Sequence, residues 1–157
     1  MDELQMSLEQ KQIFGEEAEK FILQFEHDRL KGIKEIIWVA EYSVAEGYDI
    51  ASYNDENPQT TDRFIEVKSF VNELSFYWSR NEIDIAKVKK ENYYLYLVDR
   101  SKIKNKDYKP IIIQNPYMKI LKNNVILETD VADKRYYDKK MKILSFCKTK
   151  NQILAQF

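Results

Sequence analysis

Two short stretches of the chain carry acidic and basic side chains whose spacing could support catalysis. Asp49 lies in the first, residues 48–53, and Glu66 and Lys68 lie in the second, residues 63–68. Both stretches are rich in β-branched and aromatic residues, and the loop between them holds Asn, Asp and Pro, so we predict a β-hairpin. Side chains at i and i+2 share one face of a strand, which places Glu66 and Lys68 together. Asp49 can join them if the strand register brings it close to Glu66.

Two carboxylates beside one ammonium group are suited to metal-assisted hydrolysis of a phosphodiester. Mg²⁺ prefers oxygen ligands, keeps several waters and is usually held by one or two carboxylates plus phosphate oxygens of the substrate. A neighbouring lysine can orient or deprotonate a bound water and neutralise charge that builds on the phosphate. The alternative is that Glu66-Val67-Lys68 is an ordinary strand segment whose charged side chains only keep its outer face solvated.

The two stretches belong to a longer pattern in the chain. Its segments, in order, are Gly15-x-x-Ala18-Glu19-x-Phe21-Ile22-Leu23-x-x-Glu26-x-x-Arg29-Leu30, Gly47-Tyr48-Asp49-Ile50-x-Ser52, Arg63-Phe64-Ile65-Glu66-Val67-Lys68, Asn81-Glu82 and Tyr94-Leu95-Tyr96-Leu97-Val98. Over roughly residues 15–120 this pattern resembles the domain family named after the C-terminal region of the plant protein NO VEIN. That family is similar to a branch of the PD-(D/E)xK nuclease superfamily.

The resemblance implies a fold. It implies an α/β single domain with a restriction-endonuclease-like core, in which the elements follow the order α-β-β-β-α-β and the sheet is mixed. The sequence departs from the expected pattern at two positions, because Tyr48 replaces the proline of the superfamily's name and Ala18 stands where glycine is expected. Neither departure removes a metal ligand.

The resemblance also implies an active site. Asp49, Glu66 and Lys68 correspond to the catalytic set, and Glu19 corresponds to the extra acid that many members contribute from the first helix. A Mg²⁺ or Mn²⁺ ion would be held by Asp49, Glu66 and the carbonyl of Val67. Glu19 would ligate a second ion or hold a metal-bound water.

The first element predicted is an amphipathic helix from Ser7 to Leu30, begun by a capping box at Ser7 and closed by the Lys-Gly that follows Leu30. Glu19 and Glu26 lie largely off its apolar stripe, where exposed glutamates are ordinary, and only the resemblance places Glu19 at the site. His27 is the single histidine. We interpret it as solvent-facing rather than catalytic.

The remaining elements are predicted from apolar runs and turn residues. Residues 35–42 are expected to form the first and central strand, and residues 74–79 a further strand of the same sheet. A helix follows at 82–91, and further strands and a helical turn are predicted at 92–98, 110–116, 117–122 and 123–128. Residues 134–157 do not favour any one element.

The segment before the second helix has two interpretations. Ser79 and Glu82 have the spacing of a capping box, which explains the start of the helix without a ligand. Asn81 and Glu82 also match the Asn-Glu of the resembled family, and together with Arg80 and the backbone amides they would suit a phosphate. Both roles can hold together, and we expect capping to be the main one.

Length and composition bound the class of protein. The 157 residues, 44% hydrophobic and 13% aromatic, with three glycines and three prolines, predict one globular domain over residues 1–157. Residues 121–157 would be a C-terminal extension. The single cysteine, Cys147, allows no internal disulfide, and no signal peptide or membrane-spanning run is visible. These features predict a cytoplasmic protein that does not associate with a membrane.

Charge is unevenly distributed along the chain. Residues 1–100 hold 12 Lys and Arg against 21 Asp and Glu, whereas residues 101–157 hold 13 against 5. A basic C-terminal third suits a phosphate-tracking surface. It could equally pair with the acidic part inside one fold or reflect biased composition.

The function predicted from these features is a Mg²⁺-dependent endonuclease acting on DNA in prokaryotic restriction, anti-phage defence or DNA processing. Members of the resembled family are often fused to helicase-like or ATPase-like domains, which implies recruitment by such a partner, and a homodimer is a further expectation. The alternative is a nuclease-fold module without catalysis that serves as a nucleic-acid-binding or protein-binding adaptor. Action on RNA also stays open.

Overall fold

The chain begins with one long helix. The computed structural model describes residues 3–122, 127–130 and 139–143, and helix α1 covers Glu3–Arg29. The predicted capping box at Ser7 is therefore wrong, because Ser7 lies inside a helix that already includes Leu4 and Met6, both good helix formers. The predicted end is confirmed. The N–H of Gly32 donates to the carbonyl of His27 (2.9 Å), closing the turn that caps the helix.

The described strands and the second helix follow in chain order. They are β1 (Ile37–Trp38), β2 (Ile50–Ser52), β3 (Arg63–Phe70), β4 (Ser75–Trp78), α2 (Arg80–Lys89), β5 (Tyr93–Asp99), β6 (Ile111–Gln114), β7 (Leu127–Asp130) and β8 (Lys139–Ile143). Five strands form one sheet in the order β1-β2-β3-β5-β6. The β3–β5 pair is parallel and the other pairs are antiparallel. The predicted α/β class with a mixed sheet is therefore confirmed.

The hairpin that carries the candidate acids is also confirmed. Strands β2 and β3 pair antiparallel, with Ile50 opposite Ile65 and Ser52 opposite Arg63. Ile65 and Val67 pack into the apolar cluster beneath α1. Because side chains alternate along a strand, Glu66 and Lys68 face the opposite side of the sheet, towards α2.

The predicted central strand at 35–42 is wrong in extent and position. Only Ile37–Trp38 is a strand, it lies at the edge of the sheet, and a short 3₁₀ helix follows at Val39–Glu41. The N–H groups of Val39 and Ala40 both donate to the carbonyl of Asp49, at 2.8 and 3.0 Å, which turns the chain away from β2. The centre belongs to β3 and β5, since a parallel pair needs helices on both faces.

The strand predicted at 74–79 exists, but it does not belong to the same sheet. Strand β4 pairs antiparallel with β8, which in turn pairs with β7, forming a separate three-stranded sheet. The alternation within β4 predicted a strand but carried no information about a partner so far along the chain. The strand predicted at 123–128 overlaps β7, although residues 123–126 lie outside the described residues. Within 134–157, the structure describes only β8.

Two apolar clusters cover the two faces of the five-stranded sheet. Ala18 and Ile22 of α1 pack over one face. Ile83 and Ala86 of α2 pack over the other. Burying an isoleucine side chain stabilises the fold by about 1.5–3 kcal/mol, so these contacts hold each helix at a set place on the sheet. The candidate acids are thereby presented at the end of the sheet where β2 begins.

Among the described residues, neither α1 nor α2 is both long enough and apolar enough to cross a membrane.

Candidate active site

Asp49 sits where β2 begins beside β3. Its N–H donates to the carbonyl of Ile65 (2.9 Å), and its Oδ2 accepts a hydrogen bond from the N–H of Val67 (2.8 Å). In a regular β2–β3 ladder, the N–H of Val67 would donate to a backbone carbonyl. Here the Asp49 carboxylate accepts that hydrogen bond instead. This geometry holds Asp49 beside Glu66, as the hairpin register required.

Glu66 and Lys68 form a buried ion pair that a third residue joins. The Lys68 Nζ lies 2.6 Å from Glu66 Oε1 and 2.9 Å from Glu82 Oε2. The Lys68 side chain is 17% exposed. Burial by itself would lower the pKa of Lys68, but the charges of Glu66 and Glu82 outweigh it and raise the pKa above its ordinary value. Lys68 therefore stays protonated near neutral pH and cannot deprotonate a water there.

The two central acids hold their protons more tightly than ordinary carboxyls. Burial, reinforced by the charge of Glu19, raises the pKa of Asp49 to about 7, although the N–H of Val67 and the charge of Lys68 oppose the rise. Burial and the charge of Asp49 raise the pKa of Glu66 well above its usual range. A cation placed between them would relieve this repulsion and release protons.

Glu19 reaches the same region from α1 and is fixed there by Trp38. The Trp38 Nε1 donates a hydrogen bond to Glu19 Oε2 at 2.6 Å. Burial raises the pKa of Glu19, while the bond from Trp38 lowers it and only partly compensates. Because the charge of Glu19 also acts on Asp49, the structure brings this predicted acid close to the pair.

The direction of the Val67 carbonyl follows from strand geometry. Both polar groups of a strand residue point to the same neighbouring side. Since the N–H of Val67 faces Asp49, its carbonyl also lies on that side, beyond the first residue of β2.

The oxygen atoms at this site are of the type that binds Mg²⁺. Asp49, Glu66 and the Val67 carbonyl offer the oxygen ligands that Mg²⁺ prefers, and one or two carboxylates suffice because the ion retains waters. Among the described residues, no group of three or more His, Cys, Asp or Glu side chains is arranged so that it could hold a metal ion, so the fit rests on the two carboxylates and the backbone oxygen.

Residues at the start of α2 make mainly local contacts. Ser79 Oγ accepts from the N–H of Glu82 (3.2 Å), and Glu82 Oε2 accepts from the N–H of Ser79 (3.0 Å), so the predicted capping box is confirmed. Arg80 pairs with Asp84. Asn81 Nδ2 donates to the carbonyl of Ala45 (3.0 Å) and ties down the loop that leads to Asp49. Of the predicted secondary residues, Glu82 is the one whose side chain contacts Lys68.

A known protein-family model matches the part of the chain that carries the candidate site. The model described as "Protein NO VEIN, C-terminal" matches residues 18–113, which is more than half of the chain and includes every candidate ligand. The chain belongs to the NO VEIN C-terminal domain family. Comparisons with curated proteins and with solved structures give no match.

A second polar cluster in this NO VEIN C-terminal domain corrects the prediction for Glu26. Glu26 is fully buried rather than exposed. It accepts bonds from Arg29 (3.0 and 2.7 Å), from Ser52 Oγ (2.8 Å) and from the Tyr96 hydroxyl (2.7 Å), and Arg63 Nε lies 3.5 Å away. Burial would raise the pKa of Glu26, but the Arg29 bonds and the Arg63 charge together lower it. This cluster joins α1 to the sheet.

The sequence reasoning missed two residues that shape the site, Trp38 and Tyr93. A tryptophan within an apolar run is usually a core residue. No feature of the sequence therefore pointed to the hydrogen bond from Trp38 to Glu19. The Tyr93 hydroxyl donates to the carbonyl of Gly47 (2.8 Å) at the start of the segment that carries Asp49. Burial and the charge of Glu66 raise the pKa of Tyr93 well above its ordinary value, so the hydroxyl remains a donor. His27 is mostly exposed, as predicted.

Proposed function

We propose that this NO VEIN C-terminal domain is a Mg²⁺-dependent nuclease of the PD-(D/E)xK type that hydrolyses phosphodiester bonds of DNA. The observation that carries the proposal is the pair of acids Asp49 and Glu66 beside Lys68. Burial raises the pKa of both, the charge of Glu19 adds to the rise at Asp49, and the charge of Asp49 adds to the rise at Glu66. Perturbed acids beside a buried cation are typical of active sites.

Each residue has a defined part in this proposal. Asp49, Glu66 and the Val67 carbonyl would hold Mg²⁺, which would supply Lewis acidity and lower the pKa of a bound water. Lys68 orients the attacking water by donating a hydrogen bond and offsets the charge that develops on the phosphate. Glu19 would ligate a second ion or hold a metal-bound water, and burial raises its pKa above the ordinary value.

The second candidate is a binding adaptor that keeps the fold without catalysis. One observation favours it. Lys68 already contacts Glu66 at 2.6 Å and Glu82 at 2.9 Å, so these buried charges compensate one another without a metal. In an adaptor this triad would be a structural element and the domain would bind nucleic acid or protein through other surfaces.

Calorimetric titration with Mn²⁺ separates the two candidates, because metal binding needs neither the natural substrate nor a partner. The variants are Asp49→Ala and Glu66→Ala, with Glu46→Ala as the matched control, since Glu46 is an exposed acid of the neighbouring loop. The nuclease proposal expects saturable binding that both site variants lose and the control keeps. Lys68→Ala should then abolish Mg²⁺-dependent cleavage of DNA. Equal behaviour of all variants, with or without added DNA, would favour the adaptor.

The cellular setting is part of the proposal. We propose a cytoplasmic role in prokaryotic defence or DNA processing, with the domain recruited by an ATPase-like or helicase-like partner or cutting as a homodimer. The support is the family resemblance. Co-purification with a genomically adjacent ATPase, and the mass of the assembly in solution, test it.

A further inference from the structure

A groove of about 600 Å³ lies between the second half of α1 and the segment that follows it. The α1 side chains share one helix face through their i, i+3 and i+7 spacing, and the segment 32–36 forms the opposite wall. The lining includes Lys20, Leu23 and His27 on α1, and Ile33, Lys34 and Trp38 opposite them. The volume lies in the range of sites that bind small molecules.

The groove adjoins the candidate active site through one side chain. Trp38 lines the end of the groove and donates its Nε1 hydrogen bond to Glu19 at 2.6 Å. Glu19 in turn is close enough for its charge to act on Asp49. A ligand in the groove would therefore lie one side chain away from the acids.

The walls combine apolar, aromatic and cationic groups. Ile33 is 59% exposed, although it is a large aliphatic residue next to the half-buried Leu23. The Lys20 Nζ lies 5.5 Å from the centroid of the Trp38 ring. Two lysines, Lys20 and Lys34, and one carboxylate, Glu35, are among the described residues that line the groove. The Lys34 Nζ donates to the carbonyl of Pro58 (2.7 Å) and lies 5.0 Å from the centroid of the Tyr53 ring. An aromatic surface flanked by lysines suits a nucleobase with phosphates on either side.

Gly32 keeps the groove open. Its φ is +68°, a conformation that favours glycine, and a Cβ at this position would lie 3.1 Å from His27 Nε2. A side chain here would therefore press against the wall that His27 forms. The local backbone thus keeps this part of the groove free of side-chain atoms.

We infer that this groove binds a single-stranded segment of nucleic acid, with a base stacked against Trp38 and phosphates contacting Lys20 and Lys34. This inference rests on the proposed function. The substrate of the nuclease would then be DNA with a single-stranded end or flap. Lys20 is 60% exposed and its Nζ lies 3.6 Å from Glu16 Oε2, and Lys34 is bound to the Pro58 carbonyl. Each lysine would exchange its present contact for a phosphate when the base enters. The volume accommodates one or two nucleotides of a strand rather than a duplex.

Binding of a fluorescein-labelled oligothymidylate at low salt in EDTA tests the inference without any metal. The variant is Ile33→Glu, which places a negative charge in the wall. Its control is Val88→Glu, which adds the same charge at an aliphatic residue of α2 that is 73% exposed, against 59% for Ile33. The added carboxylate should repel the strand and keep the base from stacking on Trp38, and stacking on an aromatic side chain is worth roughly 5- to 150-fold in affinity per base. Ile33→Glu should therefore weaken binding by about tenfold or more. Val88→Glu should change it by less than about twofold.

Two further readouts identify the contacts. The oligothymidylate should quench tryptophan fluorescence in the wild type but not in Trp38→Phe, where the remaining tryptophan, Trp78, is fully buried. Replacing both Lys20 and Lys34 with Gln should reduce the slope of log affinity against log salt by about 1.4, since each phosphate contact on a single strand contributes about 0.7.

Three outcomes would overturn the inference. They are no binding of the oligothymidylate to the wild type, equal effects of Ile33→Glu and Val88→Glu, and a hairpin duplex that binds with the same dependence on Ile33. Each can occur while Mn²⁺ still binds the acids, and metal binding can fail while the groove still binds the strand. The groove and the proposed nuclease site are therefore tested separately.

Discussion

Replacing Asp49 with Asn should stabilise the metal-free protein at alkaline pH. Burial and Glu19 raise the pKa of Asp49 from an ordinary 3.8 to about 7, so the folded protein binds this proton more tightly than the unfolded chain. The free energy of unfolding therefore falls as pH rises through this window and is lowest above it. Asn carries no charge at any pH, and its side-chain oxygen can still accept the hydrogen bond from the N–H of Val67.

The size of the effect follows from the pKa difference. One pKa unit corresponds to about 1.36 kcal/mol, so a rise of about three units removes up to about 4 kcal/mol of stability by pH 8. We expect Asp49→Asn to exceed the wild type by about 2–4 kcal/mol at pH 8 and by less than about 1 kcal/mol at pH 4.5. Urea unfolding in EDTA at several pH values measures the difference.

A matched control and a metal arm complete this test. Asp107→Asn makes the same chemical change at an exposed position and should stay within about 0.5 kcal/mol of the wild type at every pH. Added Mn²⁺ at pH 8 should stabilise the wild type and leave Asp49→Asn unchanged. A difference between Asp49→Asn and the wild type that does not vary with pH, or a variant that is less stable at pH 8, would refute the reasoning.

Three other substitutions test separate parts of the structure. Glu26→Gln should cost about 3 kcal/mol in urea unfolding, because it removes the charge that compensates Arg63 and Arg29. Since the pKa of Glu26 is lowered from its ordinary 4.5, the cost should be full above that pH and shrink as the pH falls below it. Gly47→Ala should destabilise by more than about 1 kcal/mol, because φ is +73° and a Cβ would lie 2.7 Å from Ile85 Cγ1; an unchanged melting temperature would contradict this. Glu82→Gln keeps a side chain that can cap α2 but removes the negative charge beside Lys68. The pKa of Lys68 should therefore fall in an NMR titration, while the helical circular dichroism signal of α2 is kept.

The local elements and the candidate acids could be predicted from the amino-acid sequence alone. Alternating residues and turn chemistry predict the hairpin of β2 and β3, and strand periodicity places Glu66 and Lys68 on one face. The spacing of Ser79 and Glu82 predicts the start of α2. These features depend on neighbours within a few residues, which is why they are visible without a structure.

Tertiary structure decided which elements pair and which polar side chains are buried. Strand β1 lies at an edge because the parallel pair of β3 and β5 occupies the centre, and β4 joins another sheet because its partner β8 lies far along the chain. Glu26 is buried by groups from three separate elements, so no helical pattern could show it. Likewise, Trp38 reaches Glu19 and borders the groove only after β1 has been placed beside α1. Contacts between distant residues depend on how the whole chain packs, and local periodicity carries no record of them.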